Sequence, residues 1–260
     1  MKAREVHEHF KRMGTWVDWN DTCDGIKAGD GETEIKAMAV SWKSTFPQLR
    51  KACELGCNFF LTHEATFLKG DRGYEIDVAI SEEKEKVEFI LNRKMVVYRS
   101  HDVWDTFPVY GIKDTWARNL GFTGSVARSS TYYSVYEIEP ATVRKLAMKI
   151  LELMGPLGQK YVGVVGNPEK VISRLSLGTG AATDVLLARS LGGEAATVSD
   201  DYLAICRIGS LAIDVDFPLI VVNHAASEEW GVVELAKYCK KTFDIPVHFL
   251  PQGCQYETIG

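Results

Sequence analysis

Short apolar runs alternate with amphipathic segments along most of the chain. The runs at residues 35–42, 57–62 and 95–100 have the length of strands. Between them, residues 45–56 and 80–94 place their apolar side chains at helical spacing, and the second segment opens with a serine and acidic residues, as helix starts do. This alternation predicts an α/β fold with mostly parallel sheets.

The same alternation restarts after about residue 125. Residues 132–139 are a strand candidate, and we expect a helix after them with Pro140 at its first position. The last apolar run, residues 217–222, leads into a helix that Ser227 is able to cap.

This restart predicts two interlinked α/β lobes. The N-terminal lobe comprises residues 1–124 and the C-terminal lobe residues 125–260, and the boundary between them is approximate.

The composition narrows the class of protein. The 260 residues carry a net charge of −5 and no cluster of Lys and Arg longer than a pair, so a nucleic-acid partner is not expected. The apolar runs are too short to cross a membrane or to form a signal sequence, which predicts a cytoplasmic protein. The six cysteines form no C-x-x-C pair and are expected to be reduced thiols. Cys53 and Cys57 have the spacing of metal ligands, but a place in the core is favoured.

Three of the six histidines follow predicted strands, and each has a carboxylate nearby. The pairs are His63 with Glu64, His101 with Asp105, and His224 with Glu228. A single loop histidine is most often solvated or hydrogen-bonded. Three such pairs at strand ends indicate more, because ligand sites gather at the carboxyl ends of parallel strands. His63 and Glu64 serve one site only if the strand stops at Thr62, since successive strand residues face opposite ways.

Other motifs are weaker. Residues 176–184 form a glycine-rich turn that lacks the third glycine of a dinucleotide fingerprint and the lysine of a P-loop, so a tight connection explains it equally well. A G-x-S-x-G elbow is missing from the sequence, which disfavours serine-hydrolase chemistry. Asp200 and Asp201 follow a predicted strand. A place in the same cleft is one alternative for them, and an exposed turn is the favoured one.

In their order and spacing, these segments resemble the NIF-three-like family, also described as GTP cyclohydrolase type-two-like proteins. The resemblance runs from "DWNDTCDGIKAG" through "FFLTHEATF" and "SHDVWD" to "VVNHAASEEWGVVELAKYC". It implies two α/β lobes with two divalent metal ions in the cleft between them, and a toroidal homohexamer. The ligand pattern of the family carries over to five residues, with His101 near the metals as a proton carrier: His63, Glu64, Asp105, His224 and Glu228.

One position of this sequence departs from the motif of the family that it resembles. That motif usually has two adjacent histidines and a proline, whereas this chain has His63, Glu64 and Ala65. A carboxylate in place of an imidazole makes the ligand set harder and more negative. This predicts manganese, iron or magnesium as the metals, with zinc as the alternative.

The resemblance and the ligand set predict a metal-dependent hydrolase. Two adjacent divalent metals activate water and stabilise charge on a substrate, and the resemblance points to a nucleotide or related small molecule. The alternative is a metal carrier or a regulatory metal-binding protein, because the same ligands serve either role. His101 distinguishes the two, since only the enzyme needs a proton donor.

Overall fold

The computed structural model describes residues 1–68, 81–128, 133–180, 182, 184–200, 202–257 and 259. Contacts within the chain define two compact units. The first unit comprises Met1–Gly111 and Val232–Pro251, and the second comprises Ile112–Gly231 and Gln252–Gly260. Each unit is therefore built from two separate stretches of the chain.

The first unit contains a sheet that, within the described residues, has five strands in the order β1-β4-β3-β2-β11. Its strands are β1 (Gly25–Ala28), β2 (Met38–Ser41), β3 (Phe59–Thr62), β4 (Val96–Arg99) and β11 (Val247–Phe249). Its helices are α1 (Ala3–Met13), α2 (Phe46–Glu54), α3 (Ser81–Asn92) and α4 (Asp102–Asp105).

The central strands of this sheet are buried on both faces. Every residue of β2, β3 and β4 is buried, which explains why their sequences are continuous apolar runs rather than alternating ones. β3 pairs in parallel with β2 and β4, and the edge strand β11 pairs in parallel with β2. β1 alone is antiparallel among the described strands of this sheet, with Gly25 opposite Arg99.

The second unit contains a sheet of six described strands in the order β5-β6-β8-β9-β10-β7. Its strands are β5 (Ala127–Arg128), β6 (Ser134–Thr142), β7 (Gly163–Val165), β8 (Val171–Leu177), β9 (Ala195–Ser199) and β10 (Leu219–Val222). Its helices are α5 (Ile112–Asn119), α6 (Val143–Met154), α7 (Val185–Ser190), α8 (Tyr202–Asp214) and the first part of α9 (His224–Thr242), with a 3-10 turn at Gly155–Leu157. From Val232 onward, α9 belongs to the first unit.

The predicted α/β fold is confirmed. Parallel pairing holds for most of the first sheet and for β8, β9 and β10 at the centre of the second. The remaining described pairs of the second sheet, β5 with β6, β6 with β8 and β7 with β10, are antiparallel.

Two predicted helix starts were wrong. Pro140 lies in β6, at a break in register between Glu137 and Ala141 where its missing N–H is tolerated. The helix α6 instead begins after Thr142, whose hydroxyl accepts the backbone N–H of Lys145.

In the second case, α9 begins at His224 rather than near Ser227. Asn223 provides the cap, because its side-chain carbonyl accepts the N–H of Ala226 at 2.9 Å. Among the described residues, no helix has the length and apolar character needed to cross a bilayer.

Candidate metal centre

The first candidate ligands emerge where β3 stops. The strand ends at Thr62, whose hydroxyl donates to the carbonyl of Glu64 at 2.9 Å and turns the chain. His63 is fully buried, and its Nδ1 donates to the carbonyl of Ser100 at 3.0 Å. That hydrogen bond fixes the tautomer and leaves Nε2 as the basic nitrogen, as is usual for metal-binding histidines.

His101 is positioned by a carboxylate far away in sequence. Asp24 is buried and accepts the backbone N–H groups of His101 at 2.6 Å, Asp102 at 2.9 Å and Val103 at 2.9 Å. These are the donors that the first turn of α4 leaves without helical partners. Asp24 therefore caps α4 and sets the backbone from which the ring of His101 projects.

The ring of His101 is held by Asp102. Its Nδ1 lies 2.8 Å from Asp102 Oδ1, and Thr22 donates to Asp102 Oδ2 at 2.6 Å. Burial works to lower the pKa of His101, but the charge of Asp105 and the bond to Asp102 outweigh it and raise that pKa well above its usual range. Burial works to raise the pKa of Asp102, yet its bonds from His101 and Thr22 lower it. Asp102 therefore fixes the orientation of the His101 ring through Nδ1.

Four side chains converge in this part of the first unit. Donor atoms of His63, Glu64 and His101 all lie within 4.8 Å of one another. His63 Nε2 lies 3.3 Å from Asp105 Oδ1, and the rings of His63 and His101 stack with centroids 4.9 Å apart. Ligands bound about 2.1 Å from one ion lie about 3 Å apart, so this set fits a divalent metal.

The positive charge of Arg99 lies beside the carboxylate of Glu64. Its Nη2 donates to Glu64 Oε2 at 3.2 Å, and its Nε donates to the carbonyl of His63 at 3.1 Å. Both side chains are largely buried, with 9% of Arg99 and 15% of Glu64 exposed. The other oxygen of Glu64, Oε1, lies 3.5 Å from His101 Nε2. Glu64 thus has one oxygen tied to a cation and one directed toward the histidines.

The second unit presents its own histidine and carboxylate. His224 and Glu228 are one helical turn apart at the start of α9, with His224 Nε2 3.2 Å from Glu228 Oε1. Glu228 is buried, with 3% of its surface exposed. Gly180 lies against both, because a Cβ at that position would stand 2.5 Å from Glu228 Oε1 and 3.1 Å from His224 Nε2. A residue without a side chain is therefore needed here.

Asp200 anchors the start of α9. Its Oδ1 accepts the backbone N–H of His224 at 3.0 Å, and its Oδ2 accepts the side-chain amide of Asn223 at 3.1 Å. Tyr256 also donates its hydroxyl to Asp200. The exposed turn expected for Asp200 is wrong, because this carboxylate serves as a support for His224. A carboxylate beside a helix N-terminus is favoured by the helix dipole.

Sequence reasoning named His63, Glu64, His101 and Asp105, which lie together, and His224 with Glu228, which form a pair; their roles as ligands stay predictions. It missed the supporting residues Asp24, Asp102, Arg99 and Gly180. Asp24 lies in the segment "DTCDG" and Gly180 in the turn "LGTGA", and both segments are too short to assign a role.

The remaining candidates keep ordinary roles. Cys57 is buried in the core of the first unit and burial raises the pKa of its thiol to about 11. Cys53 packs against the same core. His7 and His9 pack edge-on against Trp19 and Phe243, respectively. These contacts agree with the place in the core expected for Cys53 and Cys57.

Comparison with known proteins points to one family. A curated relative, the "GTP cyclohydrolase 1 type 2 homolog" of Clostridium perfringens, is 22% identical over 233 residues, which cover 87% of this chain and 86% of the relative. A Bacillus cereus protein related to NIF3 superposes with a TM-score of 0.79 at 12% identity, covering 100% of this chain and 99% of that one.

A third comparison gives the same fold. Reduced HcgD from Methanocaldococcus jannaschii superposes with a TM-score of 0.74 at 17% identity, covering 97% of this chain and 98% of that one. The sequence itself matches the Duf34/NIF3 (NGG1p interacting factor 3) family over residues 1–253. This protein therefore belongs to the Duf34/NIF3 family.

Proposed function

We propose that this protein is a divalent-metal-dependent hydrolase that acts on a nucleotide or a related small molecule. The observation that carries the proposal is the convergence of His63, Glu64 and His101 within 4.8 Å, beside Asp105. Family membership and the name of the Clostridium perfringens relative support the choice of substrate class.

In the first unit we propose His63, Glu64 and Asp105 as metal ligands, and in the second unit we propose His224 and Glu228. When bound, divalent metals supply a water activated for attack near neutral pH and positive charge beside the substrate. Glu64 makes the set harder than two histidines would, which favours manganese, iron or magnesium over zinc.

Within this proposal, His101 moves the proton. Asp102 holds its Nδ1–H at 2.8 Å, so Nε2 is the nitrogen that delivers a proton to a leaving group. Asp24 and Thr22 act as positioning residues, because they fix the backbone and the carboxylate on which that ring rests. Arg99 orients Glu64 through the hydrogen bond to its Oε2.

A metal carrier is the second candidate, and the position of His101 favours it. The same ring nitrogen that would donate a proton lies among the donor atoms of His63 and Glu64, where it is also able to serve as a ligand. An enzyme needs that group for chemistry, whereas a carrier uses it only for affinity.

Element analysis of protein purified without added metal, combined with a nucleotide hydrolysis screen on the same preparation, tests the proposal. We expect bound metal and turnover of at least one nucleotide. The variant His101→Ala should abolish turnover and keep the metal. Metal that transfers to a chelator, with no activity on any nucleotide, would support the carrier instead.

The assembly is also a proposal. We infer a homohexamer from the family resemblance, and sedimentation of the full chain tests it: a mass of about six times the 29.0 kDa chain is expected.

A further inference from the structure

The first unit contains a cavity that is formed by the loop after α4 and the C-terminal part of α9. Its volume is about 370 Å³, at the lower end of the range in which proteins hold small ligands. The walls bring together the aromatic side chains of Phe107, Tyr110 and Tyr238 and the charged side chains of Glu234, Lys237 and Lys241. None of these residues belongs to the proposed metal ligands.

The aromatic wall is rigid. Phe107 stacks on the buried ring of Trp104 with centroids 4.7 Å apart and meets Tyr238 at 5.3 Å. The hydroxyl of Tyr238 is hydrogen-bonded to Nε2 of His9 at 2.7 Å, which fixes the orientation of its ring. Tyr110 stands at the rim with 49% of its surface exposed. Fixed rings of this kind offer stacking surfaces to a planar ligand without further loss of side-chain entropy.

The cavity also has two cationic side chains, Lys237 and Lys241. Lys237 and Lys241 are one helical turn apart on α9, so their ammonium groups reach the same side of the cavity. Lys237 forms an ion pair with Glu234 at 2.8 Å. Lys241 has no ion pair among the residues that the structure describes. One positive charge in this cavity is therefore left to attract an anion.

The rim carries a strained residue. Val109 adopts a φ of 70° and exposes 56% of its surface. A β-branched residue is a genuine outlier in this left-handed region. Hydrogen bonds from Tyr110 to Pro108 and from Gly111 to Phe107 hold the tight turn in place. Strain of this kind clusters at ligand clamps, and here it shapes the edge from which Tyr110 projects.

We propose that this cavity binds a small planar aromatic molecule that carries an anionic group, either a phosphate or a carboxylate. The ring lies against Phe107, Tyr110 and Tyr238, and the anion lies on Lys241, with Lys237 as its second partner. Aromatic rings select the planar part and the ammonium groups select the charge. This site is independent of the metal centre and of the proposed hydrolase activity.

Calorimetric titration of the full chain, kept in a chelator so that anions have no metal to bind, tests the proposal. Three probes separate the two halves of the ligand: adenosine 5′-monophosphate, adenosine and ribose 5-phosphate. We expect the nucleotide to bind about tenfold more tightly than either fragment, a difference of about 1.4 kcal/mol. A fourth titration with 4-hydroxybenzoate distinguishes a carboxylate from a phosphate, and binding of either anion supports the site.

Charge variants locate the binding. Lys241→Glu should weaken the nucleotide about tenfold, a change that corresponds to about 1.4 kcal/mol. The matched control is Lys240→Glu, which makes the same charge change on the neighbouring residue of α9, outside the cavity. Glu234→Gln should tighten binding, because it releases Lys237, and a gain of affinity is not produced by misfolding. The absence of binding by all probes, or equal loss in both lysine variants, would overturn the proposal.

Discussion

Arg99 and Glu64 form a largely buried ion pair of 3.2 Å next to the proposed metal ligands. The pair explains how the chain tolerates a carboxylate where an imidazole is usual. A second buried anion beside Asp105 would raise the free energy of the metal-free protein, and the guanidinium offsets part of that charge. Arg99 also holds the carbonyl of His63, so one side chain stabilises both residues of the strand break.

Exchange of Glu64 for histidine should therefore have two effects. The variant Glu64→His removes the carboxylate partner of Arg99, and we expect a loss of roughly 1–3 kcal/mol in the unfolding free energy of metal-free protein. It also softens the ligand set and should shift metal selectivity toward zinc. Urea denaturation and competitive metal loading measure these effects. Unchanged selectivity would show that Glu64 is not a ligand.

Gly180 should be required for metal affinity. Alanine at this position would meet Glu228 Oε1 at 2.5 Å and would also strain a φ of +57°. Gly124 separates the two effects, since its φ is +69° but a Cβ there meets nothing within 4 Å. Each alanine should destabilise the fold by about 1 kcal/mol, while only Gly180→Ala should weaken metal binding. Equal metal affinities in the two variants would contradict this assignment.

Asp24 should be essential for the shape of the loop that carries His101. The variant Asp24→Asn replaces one of two accepting oxygens with an N–H donor that faces other N–H groups, so we expect a loss of about 2 kcal/mol in stability. Asp18→Asn is the control, because the exposed Asp18 accepts only one backbone N–H and asparagine preserves that bond. Urea denaturation of the metal-free proteins compares the two, and equal stability would argue against the capping role.

Stability should fall in mild acid, partly because of His9. Burial lowers the pKa of His9, and the nearby charge of Arg12 lowers it further. Unfolded histidines titrate near pH 6.5, so between that pH and the lower folded pKa the unfolded chain binds more protons. Stability is therefore fully present above about pH 6.5 and is lost as the pH falls toward the folded pKa.

The variant His9→Gln isolates this contribution. Urea midpoints at about pH 7.5 and about pH 5.5 bracket the titration of histidine, and the variant should lose less stability between them than the parent protein does. Identical losses would show that other groups account for the acid sensitivity.

The local pattern of apolar and polar residues was enough to predict the central strands of the first sheet. The strands β2, β3 and β4 are mostly apolar because both faces of the sheet are covered, and the stop at Thr62 is visible because polar residues follow at once. The start of α9 was misplaced because its cap, Asn223, is itself supported by Asp200, a residue 23 positions away.

The supporting residues of the site were invisible for the same reason. Asp24 meets the backbone of His101 across 77 positions, and Arg99 meets Glu64 across 35. A single sequence gives no sign of which distant carboxylate will face which backbone N–H group. The predicted strand ends and the family resemblance indicated the histidines and carboxylates, but neither indicated the hydrogen bonds that hold them.

The link between Asp24 and α4 also sets an order of events during folding. Asp24 immediately precedes β1, and β1 pairs with β4 directly before Ser100 and His101. The loop of His101 acquires its shape only after these distant strands have met, and such non-local pairing forms late and slowly. A chain in which β1 and β4 have not yet paired therefore lacks the assembled histidines and carboxylates.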